Sequence, residues 1–237
     1  MNISAVGQDY KQLNEILKST QEKEIQIQGV LGQRYLGSGA HGKIITIEGT
    51  PGNAIGAYLN GCSIEVFGNV QDAAGDTMNS GKIIVHGNAG DTTGYAMRGG
   101  AILIEGNAGY RVGIHMKEYQ EHKPIIVVGK QAGDFLGEYQ AGGVIVVLDS
   151  ENTQQPVGNY VGTGMHGGVI YIRCDRRPSN LPSQVSCEKL KDNCELEEYI
   201  ELFCHYFSNS PTEFLNKTFY KLTPNSKNPY KQLYTLN

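Results

Sequence analysis

The chain has 237 residues, 20 basic and 24 acidic, with a net charge of -4 and 39% hydrophobic side chains. That suffices for one large domain or a domain with an appendage, and it leaves neither a basic footprint for nucleic acid nor a polybasic patch for a membrane. No apolar run approaches the roughly 20 residues of a spanning helix, and the first nine residues lack the basic start and apolar core of a secretory signal, so the expected compartment is the cytoplasm.

Residues 9–19 carry Tyr10, Leu13, Ile16 and Leu17 at helical spacing, with Asp9 available as N-cap. This predicts a short amphipathic helix. Residues 1–24 are assigned to a helical cap, because the open end of a stacked repeat needs a cover.

From Ile25 a repeat takes over. Gly68, Gly87 and Gly106 are 19 residues apart, and so are Gly75, Gly94 and Gly113. Self-similarity at a fixed period of this size marks stacked units. Short apolar runs recur with it: Ile25/Ile27, Ile45/Ile47, Ile64/Val66, Ile83/Val85, Ile102/Ile104, Ile125/Val127, Ile145/Val147 and Ile170/Ile172. Residues two apart share one face of a strand, so each pair is expected to point inward. The intervening positions, such as Gln26, Thr46, Glu65, Ile84 and Leu103, are mixed in character. Glycine follows the first six runs, and the coil corners are assigned to Gly49, Gly56, Gly68, Gly75, Gly87, Gly94, Gly106 and Gly113. Such corners need positive φ or close backbone approach, which glycine allows.

The expected fold is all-β. A single-stranded, right-handed parallel β-helix of about eight coils spans residues 25–173, on the order of 40 Å long. The period lengthens once, between Gly106 and Gly129, and the extra residues fall in 116–124. An insertion in a stacked repeat projects from one face, often a binding face.

Past Arg173 the period is lost. Residues 174–237 are read as a linker with Pro178 and Pro182, two helices, and a tail. Leu196, Tyr199, Ile200, Phe203 and Phe207 predict a helix over about 194–208. Ser210-Pro211-Thr212-Glu213 predicts a capping box opening a second helix. The tail carries Phe219, Tyr220, Tyr230 and Tyr234, too many aromatics for a disordered end, and is expected to lie on the column or on a partner.

Few residues suggest chemistry. The five cysteines, Cys62, Cys174, Cys187, Cys194 and Cys204, contain no Cys-x-x-Cys pair and are expected to be free thiols without iron–sulfur or zinc. His41, His115 and His166 have no acidic or Cys partner recurring in register. Asp72, Asp76, Asp91 and Asp134 do not follow the nine-residue calcium repeat. The expected catalytic, metal and cofactor residues in this chain are therefore none.

The stretches Gly49–Gly61, Gly68–Val85 and Met165–Gly168 resemble the glycine-rich β-helix domain, the GXGXG domain, that closes the large subunit of glutamate synthase. Gly113–Tyr119, Gly133–Tyr139 and the ending from Phe219 to Tyr230 are similar to free-standing versions of that domain. The chain also resembles the subunit of formylmethanofuran dehydrogenase that is built on the same module. The resemblance implies a non-catalytic scaffold that docks a glutamine amidotransferase and subunits bearing FMN and iron–sulfur clusters, for glutamate synthesis. The alternatives are the corresponding component of a formylmethanofuran dehydrogenase and a self-assembling β-helix protein in a homo-oligomer. An enzyme acting alone, for instance on a polysaccharide, is a further class. Partner contact is expected at His115, Lys117, Glu118, Tyr119, Phe219, Tyr220 and Tyr230.

Overall fold

A computed structural model describes residues 1–153 and 155–226. One mixed sheet of eleven strands runs through it. Strands β1 (Asn2–Ser4), β2 (Glu24–Leu31), β3 (Ile44–Thr50), β4 (Asn60–Phe67), β5 (Ser80–Val85), β6 (Ala101–Ile104), β7 (Ile125–Val128), β8 (Ala141–Val147) and β9 (Gly167–Arg173) are parallel neighbours in chain order. Two later strands, β10 (Val185–Lys189) and β11 (Phe219–Pro224), join by antiparallel pairing: β11 pairs with β9, and β10 with β11, so that β11 runs against the rest and β10 with them.

The inward pairs line up as the repeat requires. Ile45 pairs with Ile64, Ile64 with Ile83, and Ile83 with Ile102. All four are fully buried in one cluster that follows the strands. At β7 the expectation is corrected by one residue. Ile126 and Val128, not Ile125 and Val127, continue the inner rows of Ile102 and Ile104. Gly129 misleads the alignment, because its N–H donates to Ile104 O, one rung position before the place of Gly106. Lys130 holds that place, donating to Gly106 O at 3.1 Å. A slip of one residue in a strand exchanges its two faces, and Val127 accordingly joins a cluster on the other side of the sheet.

Between strands the chain turns and stacks again. The N–H groups of Gly75, Gly94 and Gly113 donate to Ile55 O, Ala74 O and Thr93 O at 2.7–2.9 Å. Gly94 shows why glycine is needed. Its φ is +73°, and a Cβ there would lie 2.4 Å from Ile126 Cδ1. Gly87 and Gly106 serve differently: a Cβ would lie 2.7 Å from the carbonyl oxygen of the glycine one rung below. Leu59, Met78, Met97, Met116 and Met165 fill the interior beside the isoleucines.

Side chains repeat the backbone bonding at some corners. Asn69 Oδ1 accepts from Asn88 N–H, and Asn88 Oδ1 from Asn107 N–H, each at 2.8 Å. Asp72, Asp91 and Asp134 likewise accept from Asp91, Tyr110 and Asn159 N–H at 2.7–3.0 Å. These carboxylates pin one rung to the next.

One end of the column is closed by helix α1 (Tyr10–Ser19), whose Leu13 and Leu17 are buried in the inner cluster. Asp9 and Gln12 form a reciprocal capping box. The first 24 residues are more than a helical cap, since β1 adds a parallel rung with Ile3 over Ile27. Helix α2 (Glu197–Phe207) and the short α3 (Pro211–Leu215) lie on the outer face of the sheet. Tyr199, Ile200, Phe203 and Phe207 pack there with Ile84, Leu103, Val127, Val146 and Tyr171. The capping box at Ser210 does not form. Ser210 Oγ meets Thr212 Oγ1 instead of backbone, and Pro211 opens a helix of only five residues. The segment Phe219–Pro224, expected to be irregular, is the strand β11. Tyr230 and Tyr234 lie outside the described residues.

Candidate docking surfaces

The coil turns build an exposed face from a repeated backbone conformation. Two residues before the turn glycine stand Ala73, Thr92, Arg111, Phe135 and Tyr160, and two after it Tyr58, Thr77, Ala96, His115 and Tyr139, all at positive φ. A left-handed non-glycine residue costs about 1–2 kcal/mol, so the stack of rungs must hold the turn in shape. Because the turns are in register, their side chains stack. The His115 and Tyr139 rings lie 5.2 Å apart and within 8° of parallel, with Tyr95 edge-on to His115 at 6.0 Å. Phe135 stacks on Tyr160 at 4.9 Å. Arg111 caps Phe135 at 4.7 Å from the ring centre and bonds Glu138 at 3.0 Å. Tyr58, Tyr95, Tyr110 and Tyr160 are exposed on these turns. Aromatic and arginine side chains are the usual anchors of protein interfaces.

The insertion is a small hairpin beside this face. Tyr119 and His122 exchange backbone hydrogen bonds at 3.1 and 2.9 Å. Its base is fixed: Lys117 N–H donates to Met97 O, and Glu118 Oε1 accepts from Gly143 N–H at 2.8 Å. Lys123 Nζ donates to Tyr199 Oη at 2.9 Å, tying the hairpin to α2. The tip, Tyr119 to Glu121, is exposed. Of the expected contact residues, then, His115 joins the aromatic stack, Lys117 and Glu118 anchor the hairpin, and Tyr119 stands at its tip. Phe219 is corrected: it is fully buried beneath α2 and α3, because β11 is a sheet strand rather than a loose tail. Tyr220 is half-buried against the inner cluster, and Tyr230 lies outside the described residues. Sequence reasoning missed Tyr95, Arg111, Phe135, Tyr139 and Tyr160. For Arg111, Phe135, Tyr139 and Tyr160 the signal is a position two residues from the turn glycine; Tyr95 directly follows Gly94.

A cavity of about 310 Å³ opens where the sheet meets α3. Its wall holds a buried ion pair, Arg173 Nη1 to Asp149 Oδ2 at 3.0 Å. Asp149 also accepts from Thr153 N–H and Oγ1, and Arg173 donates to Asn152 Oδ1. A buried pair neutralised and hydrogen-bonded in this way holds loop 149–153 to the end of β9.

Burial pushes the thiols of Cys62 and Cys204 up to about 11 and that of Cys174 up to about 12. Such thiols are poor nucleophiles and poor metal ligands at neutral pH. Among the described residues no group of three or more His, Cys, Asp or Glu is placed to hold a metal ion. Nor is any described helix long and apolar enough to cross a membrane.

Three comparisons bear on these surfaces. The family model for the GXGXG motif matches residues 10–227. The uncharacterised protein MJ1350 of Methanocaldococcus jannaschii is 41% identical over 249 residues, covering 98% of this chain and 95% of its own. A chain in the crystal structure of the formyltransferase/hydrolase complex (FhcABCD) from Methylorubrum extorquens, solved with methylofuran, superposes with a TM-score of 0.68. That match covers 87% of this chain and 75% of the other at 20% identity, a likeness of fold.

Proposed function

The chain belongs to the GXGXG-motif family, and from that premise we propose that it is a non-catalytic assembly subunit, a rigid cytoplasmic column on which the working subunits of a larger enzyme are mounted. The observation that carries this is the turn face. A run of stacked, outward aromatic side chains around Arg111 and His115, with Tyr119 on a fixed hairpin beside it, is built like a protein interface. We read the stacked rungs as one right-handed parallel β-helix, since parallel crossovers take that hand almost always.

Of the assemblies to which the sequence is similar, a formylmethanofuran dehydrogenase-like complex has the better support, because the matching fold is a chain of a formyltransferase/hydrolase complex. A second reading, docking of a glutamine amidotransferase and FMN/iron–sulfur subunits, rests on the motif stretches Gly49–Gly61 and Gly68–Val85. Tagging the chain in its own cells and identifying what co-purifies separates them. Formyl-transfer or hydrolase chains support the first, and amidotransferase and flavoprotein chains the second. Recovery of the chain alone under gentle conditions overturns both, and light scattering would then show whether it assembles with itself.

A further inference from the structure

The helices cover only part of the sheet's outer face. Over β5–β9 the outward row reads Ile84, Leu103, Val127, Val146 and Tyr171, and α2 lies upon it. Over β2–β4 the same row reads Gln26, Thr46 and Glu65, and no described element lies on it. Two large apolar side chains nevertheless stand out there, Ile44 at 53% and Phe67 at 49% exposure. A shallow depression of about 370 Å³ runs past Glu24, Gln26, Ile44 and Thr46.

Charge on the three strands is acidic, and two neighbouring cations, Lys82 of β5 and the Met1 ammonium, are already engaged by Tyr206 Oη and Glu24 O. Strands β2, β3 and β4 contain Glu24, Glu48 and Glu65 and no lysine or arginine. Glu105 follows on the next rungs, and the single imidazole nearby, His86, is already held by Glu65 at 2.8 Å. Helix α2 adds exposed Glu197, Glu198 and Glu201 and has no lysine or arginine of its own. Three strands side by side span roughly 10–14 Å, the width of one helix with its side chains.

We infer that the outer face of β2–β4 receives a basic, amphipathic helix of a partner protein, laid beside α2 in the same layer. Its apolar stripe covers Ile44 and Phe67, and its Lys or Arg flanks meet Glu24, Glu48 and Glu65. A second copy of this chain is a poor occupant, because a two-fold contact of this face with itself sets glutamate against glutamate. The inference rests on the assembly reading and adds where one partner sits and what it must carry.

The test uses the tagged full-length chain in its own cells, with a benzophenone amino acid at Ile44 in one strain and at Tyr119 in another. The expected result is a crosslink from position 44 to a Lys/Arg-rich helical segment of a co-purifying protein. Separately, Glu24→Lys with Glu48→Lys should lower recovery of that protein about tenfold, with an unchanged melting temperature. A complex that crosslinks at 119 but at 44 gives nothing, a second copy, the same chain or an acidic segment overturns this inference and leaves the assembly reading standing. A chain that purifies alone overturns both.

Discussion

The two halves of the outer face share one backbone and differ in a single row of side chains. On the inner side both halves bury the same Ile and Val pairs. On the outer side Gln26, Thr46 and Glu65 give way to Ile84, Leu103, Val127 and Val146, and the chain's own helix appears where the row turns apolar. The inner row makes the column. The outer row decides what lies on it, and it can be altered without touching the winding.

That division breaks first at Phe203. Its ring is 2% exposed, 4.6 Å from Phe207, and a Cβ on Gly129 would lie 2.8 Å from its Cζ. Phe203→Ala should cost about 4 kcal/mol in urea unfolding, whereas Phe67→Ala on the open half should cost under about 1 kcal/mol. Equal losses would abolish the distinction. The interior, by contrast, should not register which half lies outside. Gly56 (φ +63°, where a Cβ would lie 2.7 Å from Ile83 Cδ1) and Gly113 (φ +68°, where a Cβ would lie 2.5 Å from Ile145 Cδ1) serve opposite halves. Replacing either with Val should cost about 3 kcal/mol, and a difference beyond about 1 kcal/mol between them would show that the halves are not wound alike.

Smaller effects sharpen the picture. Tyr171 Oη donates to Glu195 at 2.9 Å beneath the helical layer, and Tyr171→Phe should lose about 1 kcal/mol. Thr46→Val, on the open half, should stay within about 0.5 kcal/mol. Thiol chemistry probes the cover directly. Cys194 is exposed and Cys204 is buried on the sheet-facing side of α2, so a disulfide reagent at pH 8 should modify Cys194 in the native protein and Cys204 only on unfolding. Because burial raises the Cys204 thiol from 9.0 to about 11, its contribution to stability is intact below pH 9 and lost as pH rises through 11. A midpoint in urea that does not fall over that interval in the native chain, relative to Cys204→Ala, would mean the thiol is not desolvated.

Much of the architecture is legible in the residues alone. The inward pairs through Ile104 and the helix over Tyr199–Phe207 follow from period. The row that decides the cover is visible too, in the shift from Glu65 to Ile84, but outward positions in a repeat carry no periodic signal and read as merely mixed. The slip at Ile125 arises from Gly129 as a landmark, because the five-residue lengthening (24 between Ile102 and Ile126 against 19 in the three rungs before it) moves the strand past it. Strands β1, β10 and β11 stand outside the repeat. One of them, β11, runs against the rest, and short strands without a period are fixed by the sheet they join, not by their own residues. The aromatic face is hidden because its members, Tyr95 to Tyr160, meet only when rungs are stacked.

The edge strand β10 bears on more than this one molecule. A rod of parallel rungs ending on a bare parallel strand offers the next molecule a template, and head-to-tail growth into fibres follows from such templates. Here β11 runs against β9, and the edge strand β10, which turns back into the direction of the other rungs, carries Glu188 and Lys189 on exposed positions. An incoming first strand would meet the charged side chains of a short edge strand, a usual guard against such pairing. The short, charged edge of β10 guards the described end of the sheet against such growth.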